Sequence, residues 1–275
     1  MTSRCEATPP ILARKDHGAA SAFSPENLLR EARRQKGLAE SAVPEVCVLD
    51  PDGDIVRQLT RDGRAHRDPG WACYHTALCR VPGPVELGIV GCAVGAPFAT
   101  LVAEEMFASG CRLLISMTSA GQLVQLRPPP YFVLIDKALR DEGTSYHYQP
   151  AAEFSFANPQ LIERVATSFD AQGIPLVRGA TWTTDAPFRE TEGAISAMRD
   201  KGLLAVEMEA AALYAFAAAR SKAVVCFAHV TNQMAVSEGD FEKGEANGSV
   251  DALAVIFAAA SALIRGNATG GAARS

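Results

Sequence analysis

The sequence predicts an α/β fold with a largely parallel central sheet, and three observations lead there. Short apolar runs bounded by glycine, proline or acidic turns alternate with helix-patterned stretches of roughly 10–15 residues. Hydrophobic residues fill 48% of the 275 positions, enough for a core that buries roughly three quarters of the unfolded surface. No internal repeat divides the chain, so a single domain over residues 23–266 is expected.

The elements follow in order. Residues 1–22 are small and polar and are expected to be disordered or loosely attached, as is the Gly/Ala-rich tail 267–275. Ser24-Pro25-Glu26 opens a helix with Ser24 as cap and Pro25 in its first turn, and Gly37 stops it. Residues 44–49 read as a strand that ends in the acidic turn Asp50-Pro51-Asp52-Gly53-Asp54, and residues 60–72 read as loop. Leu87-Gly88-Ile89-Val90-Gly91 is a buried strand, and a helix over 97–109 closes at Gly110. Residues 112–117 form the next strand, which Thr118-Ser119-Ala120-Gly121 is expected to break. A strand follows at 131–135, then helices near 158–172, 190–201, 208–220 and 249–265. Strands near 175–182, 203–206 and 223–231 fall between them. In such folds ligands bind where strands run into helices. Attention therefore goes to the loops 50–54, 91–96, 117–122, 181–191 and 229–234.

Composition excludes several classes. A net charge of −5 argues against a nucleic-acid partner, which wants a basic face. No uncharged apolar run of about 18 residues is present, so no membrane partner is expected, and the N-terminus has no signal-peptide pattern. The seven cysteines form no C-x-x-C pair and no zinc spacing with histidine. They read as buried reduced thiols, which points to the cytoplasm, and no metal is expected.

The chemistry concentrates in Val206-Glu207-Met208-Glu209-Ala210, two carboxylates where a buried strand becomes a helix. Acids in a first helical turn are favoured by the dipole alone. The strand before them is buried, however, so one carboxylate is expected to face a cleft, where it could accept from two vicinal hydroxyls such as a ribose offers. This segment resembles the V-E-M-E-A mark of the nucleoside phosphorylase-I superfamily. That family includes uridine and purine nucleoside phosphorylases and methylthioadenosine nucleosidases. Three more segments agree in order: 113–121, Asp141-Glu142-Gly143-Thr144-Ser145-Tyr146-His147-Tyr148, and Thr183-Thr184-Asp185-Ala186-Pro187-Phe188-Arg189-Glu190. The resemblance covers residues 23–265 and is strongest to uridine-phosphorylase-like members.

The resemblance implies a three-layer α/β/α fold with a central mixed sheet and N-glycosidic cleavage of a nucleoside. Glu209 would hold the ribose 2′- and 3′-hydroxyls, with Met208 packed on the sugar and Glu207 shaping the site. His147 would reach the 5′-hydroxyl. Ser119, Gly53, Ser116 and Arg67 fall at phosphate-side positions, Arg67 within a segment that a neighbouring subunit lends. Asn232 and Asp185 would stabilise charge on the departing base, and Phe188, Arg189, Gln233 and Tyr146 would surround it. Inorganic phosphate would be the co-substrate, with no metal or organic cofactor. A homodimer or a hexamer built as a trimer of dimers is implied.

The departures from the family pattern bear on the nucleophile. Ser116 and Ile55 stand where phosphorylases of this family carry arginines, and each lost charge-assisted contact is worth about 1.5–3 kcal/mol. The expected reaction is phosphorolysis of a uridine-like nucleoside. The alternatives are a hydrolytic nucleosidase and a non-catalytic nucleoside-binding relative. Asn232 replaces the aspartate of purine-cleaving members, and Gln233 replaces the arginine of uridine phosphorylases. His229, Trp71 and Trp182 read as packing residues, and the polar stretch 241–250 as a flap near the base. A dinucleotide-binding reading of Gly88-x-x-Gly91-x-x-x-Gly95 fails on spacing.

Overall fold

The computed structural model describes residues 8–234 and 238–265. Its core is a mixed sheet: β1 (Val46–Asp50), β2 (His66–Arg67), β3 (Cys79–Val81), β4 (Leu87–Gly91), β5 (Leu113–Gln122), β6 (Tyr131–Asp141), β7 (Phe154–Phe156), β8 (Val177–Thr184), β9 (Ala205–Glu207) and β10 (Ala223–Asn232). Seven α-helices accompany it among the described residues: α1 (Pro25–Lys36), α2 (Asp54–Arg61), α3 (Ala96–Ala108), α4 (Pro159–Gln172), α5 (Glu192–Asp200), α6 (Ala210–Arg220) and α7 (Ser249–Arg265). Helices α1, α3 and α6 pack together on one side, while α4 and α2 pack against α7 on the other. This is the layered α/β fold with a mixed sheet that the family resemblance implied.

Capping sets the helix ends as expected. Ser24 accepts from the Asn27 N–H at the start of α1, and Gly37 closes that helix in the left-handed region. Asn158 caps α4 through the Gln160 and Leu161 N–H groups. The expected loop 60–72 holds β2, β6 runs on past residue 135 to Asp141, and four further departures from expectation follow. The run 118–121 does not break its strand, because Thr118 to Gly121 pair on one flank with Ala228 to Asn232 of β10. A strand hydrogen-bonded to neighbours tolerates a glycine that an isolated run would not. The turn at Asp50 leads directly into α2, since the Asp50 carboxylate accepts the Gly53 and Val56 N–H groups and so starts a helix. The sheet is mixed rather than largely parallel: β10–β6, β5–β9, β6–β7, β2–β3 and β3–β4 are antiparallel. Finally, Cys92 is exposed, while the other described cysteines are buried.

Topology positions the site. The strand order is β10-β6-β8-β9-β5-β1-β4-β3-β2, and β10 also pairs with β5. Strands β5, β10, β6, β8 and β9 therefore close on themselves, with β1, β4, β3 and β2 extending from β5. Closure brings the carboxyl ends of β5, β8, β9 and β10 to one place. The segment Glu245–Ile264 is long and apolar enough to cross a membrane, but half of it is buried against the fold, as a core helix would be. Residues 8–23 run past the loop after β6, where Lys15 reaches the His147 Nδ1 at 3.0 Å and His17 the Tyr146 carbonyl at 3.1 Å.

Candidate active site

The two carboxylates after β9 divide their work. Glu207 is 3% exposed and fully engaged. One oxygen accepts from the Thr181 and Thr183 hydroxyls at 3.0 and 2.5 Å, and the other from the Glu209 and Ala210 N–H groups, both at 2.7 Å. A carboxylate has about four acceptor positions, so Glu207 is saturated. It caps α6 and fixes the angle at which the chain leaves the sheet. Burial raises its pKa despite these donors.

Glu209 is 1% exposed and keeps spare acceptor capacity. Its Oε1 takes the Gly95 N–H at 2.7 Å, and its Oε2 takes the Thr118 hydroxyl at 2.5 Å. Gly95 caps α3 with no side-chain partner for that helix, so the Glu209 carboxylate faces the amino end of a second helix. Burial, reinforced by the charge of Glu207, pushes its pKa up to about 7. Its side chain thus turns inward rather than to solvent, and Met208 beside it is half-buried. From Thr118 the polar line continues: Ser119 Oγ lies 3.0 Å from Thr231 Oγ1, which also accepts from Asn232 Nδ2 at 3.2 Å. Asn232 Oδ1 accepts the Met234 N–H at 2.8 Å.

Beside Ser119 a cavity of about 20 Å³ is lined by Asp50, Asp52, Asp54, His229 and Lys243 among others. That is room for about one water molecule. Burial, aided by the charges of Asp52 and Asp54, raises the Asp50 carboxyl to about 6. Burial also lowers His229 to about 4, so its imidazole is neutral at pH 7, stacked on Phe132 at 4.6 Å between ring centres. Lys243 Nζ pairs with Asp52 Oδ2 at 2.5 Å and Asp54 Oδ2 at 2.6 Å. Although burial alone would lift it, the Asp54 carboxyl sits below its usual range because Lys243 and Arg57 outweigh that cost. Gly53, at φ 75°, turns the chain here so tightly that a Cβ would meet the Cys92 sulfur at 2.6 Å.

Glu207, Met208, Glu209, Ser119, Gly53 and Asn232 are thus gathered around one end of the sheet. The other predicted residues stand apart. Ser116 is buried in β5, its hydroxyl without a hydrogen-bond partner among the described residues. Arg67 lies exposed on β2, at the far edge of the sheet. Asp185 is exposed and accepts the Gly143 N–H at 2.8 Å, tying the two loops together. The Tyr146 hydroxyl donates to the Arg140 carbonyl at 3.2 Å, under the Arg140 guanidinium. His147 is exposed beside Lys15, and its pKa is lowered first by burial and then by that charge. Phe188 is 98% exposed, Arg189 is exposed, and Gln233 pairs with Gln125 at 2.8 Å. Sequence reading missed Lys243, which sits in a polar, glycine-bearing run with no local signal. His229, read as a packing residue, is indeed buried against Phe132, and it also lines the cavity. No group of three or more His, Cys, Asp or Glu side chains among the described residues is placed to hold a metal.

A family model described as the phosphorylase superfamily matches residues 54–264. The chain belongs to that superfamily. Among curated relatives, a guanosine phosphorylase of Halorubrum lacusprofundi is 25% identical over 132 residues, 48% of this chain and 55% of the relative. The chain spans about half the length of the curated relatives it matches. Among solved structures, uridine phosphorylase of Vibrio fischeri superposes with a TM-score of 0.68 at 19% identity, covering 83% of this chain and 95% of that one. AMP nucleosidase of Bacteroides thetaiotaomicron gives 0.67 at 16%, covering 90% and 100%. These structures share this fold, and by name they include a phosphorylase and a nucleosidase.

Proposed function

We propose that this superfamily member cleaves the N-glycosidic bond of a nucleoside, with water as the nucleophile. The observation that carries the reading is Glu209: a buried carboxylate with unused acceptor sites, braced by Thr118 and Gly95 next to Ser119. In this reading it accepts the 2′- and 3′-hydroxyls of the ribose, Met208 packs on the sugar, and Glu207 holds the helix that presents them. Cleavage passes through an oxocarbenium-like state, so positioning and electrostatics supply most of the acceleration. Asn232 hydrogen-bonds the departing base. An amide at Asn232 cannot protonate a purine ring nitrogen, which favours a uridine-like pyrimidine.

Water is favoured over phosphate by the lining of the small cavity. Three carboxylates face it against one ammonium, and the ammonium is already paired twice. Asp50, raised to about 6, is then the base that takes the proton from the attacking water. Phosphorolysis is the second reading, and the exposure of Arg67 on an edge strand favours it, because a second copy of the chain could receive that guanidinium. A homodimer or hexamer belongs to both readings. Free cysteines, five of the six described being buried, fit a reducing cytoplasm. Base release from uridine, adenosine and guanosine, assayed with and without phosphate, decides. Release that does not depend on phosphate supports hydrolysis; ribose 1-phosphate as product supports the second reading; no release from any nucleoside removes both.

A further inference from the structure

We propose that Asp52, Lys243 and Asp54 form a latch that selects the nucleophile, admitting water and shutting out tetrahedral oxyanions. The inference rests on the reading of this cavity as the nucleophile side. Lys243 is the cation among the side chains lining it, and two carboxylates from the β1–α2 turn hold that cation at 2.5 and 2.6 Å. An entering oxyanion would have to displace both. It would also face Asp50, whose carboxylate is met by the Gly53 and Val56 N–H groups but by no cation lining the cavity once Lys243 is taken. The Arg57 guanidinium does not line the cavity and is bound to Asp54 Oδ1 and the Asp52 carbonyl.

The latch also holds the segment 241–248 in place. Residues Gly244, Ala246, Asn247 and Gly248 all have positive φ, at 90°, 50°, 57° and 75°. For alanine and asparagine this conformation persists only where surrounding contacts impose it. Those contacts are visible on both sides. The Glu242 N–H donates to the Thr231 carbonyl at 2.6 Å, and Phe241 bridges to Asn232. Gly248 lies so close to the His229 ring and the Lys243 carbonyl that any side chain there would collide with both. Thr231 is the same residue that meets the Ser119 hydroxyl. Lys243 therefore follows Glu242, whose N–H is joined to the end of β10 beside the site, and its ion pairs close the cavity to the size of a single water.

The test measures inorganic phosphate binding to the full-length protein by calorimetry, which requires no turnover. Wild type should show no binding at millimolar phosphate. Asp52→Asn with Asp54→Asn frees the ammonium and should bind phosphate at least ten-fold more tightly. Adding Lys243→Met to that pair should abolish the gain. Should the double variant not fold, Asp52→Asn alone is the substitute, since that side chain is 34% exposed, and it should move affinity the same way by a smaller factor. Phosphate binding by wild type at the affinity of the double variant overturns the latch, as does undiminished binding when Lys243 is replaced. Phosphate-independent base release by wild type is the separate check on hydrolysis, so the two failures remain distinguishable.

Discussion

At the scale of single residues the decisive feature is that Glu209 carries a pKa of about 7 inside the fold against an ordinary 4.5. A raised carboxyl means the folded state binds protons that the unfolded state has lost. Stability therefore falls as pH climbs from about 4.5 to about 7, by a few kcal/mol for this group taken alone. Glu209→Gln should remove that slope, and urea denaturation at pH 5 and pH 8 reads it as a smaller difference than wild type shows. The same ionisation should appear in turnover. If the ionised carboxylate accepts the ribose hydroxyls, kcat/KM rises with pH through about 7, and Glu209→Gln lowers it about 100-fold, the value of one or two charge-assisted hydrogen bonds. The remaining acid limb should then sit near 6, where Asp50 titrates. A variant that keeps wild-type kcat/KM would remove Glu209 from sugar binding.

Among the elements, α6 is the one whose placement the site needs most. Its amino end is fixed by Glu207 and its body by Tyr214, which is 1% exposed. The Tyr214 hydroxyl donates to the Ile135 carbonyl of β6 at 2.6 Å and accepts the Cys226 N–H of β10 at 3.0 Å, so one phenol joins the helix to two strands. Removing it leaves two buried backbone groups without that partner. Tyr214→Phe should destabilise the fold by about 1–3 kcal/mol with little effect on KM. Glu207→Ala strands two threonine hydroxyls and two helix N–H groups, and it should cost about 3 kcal/mol or more. Denaturant midpoints measure both. A Glu207→Ala protein as stable as wild type would mean that α6 is positioned by packing alone.

Over the whole molecule, three of the residues that stand away from Glu209, namely Arg67, Phe188 and Arg189, are exposed. In the proposed oligomer a second copy of the chain would cover Phe188, which is 98% exposed in the single chain. Sedimentation should find the protein as a dimer or larger, and Phe188→Ser should weaken base binding more than it weakens folding. A monomer at micromolar concentration with full activity would exclude a shared site.

How much of this was readable in advance follows from the range of the interactions. Caps, turns and apolar periodicity act over a few residues, so Ser24 and Gly37 announced the ends of α1, and the acid pair after Val206 announced the candidate site. The Thr118 to Gly121 run misled because its local chemistry is that of a turn. Only pairing with a strand more than a hundred residues later makes it extended, and the same pairing closes β5 through β10 into a ring. Lys243 lay in a stretch read only as a flap, since its role depends on Asp52, 191 positions away. The sequence by itself determined the alternation of strands and helices, the capped helix ends and the position of the acid pair after β9, because those rest on local hydrogen bonds and the periodicity of burial. The tertiary structure alone decided which charges share the small cavity, because an ion pair between distant segments exists only once the sheet has brought them together.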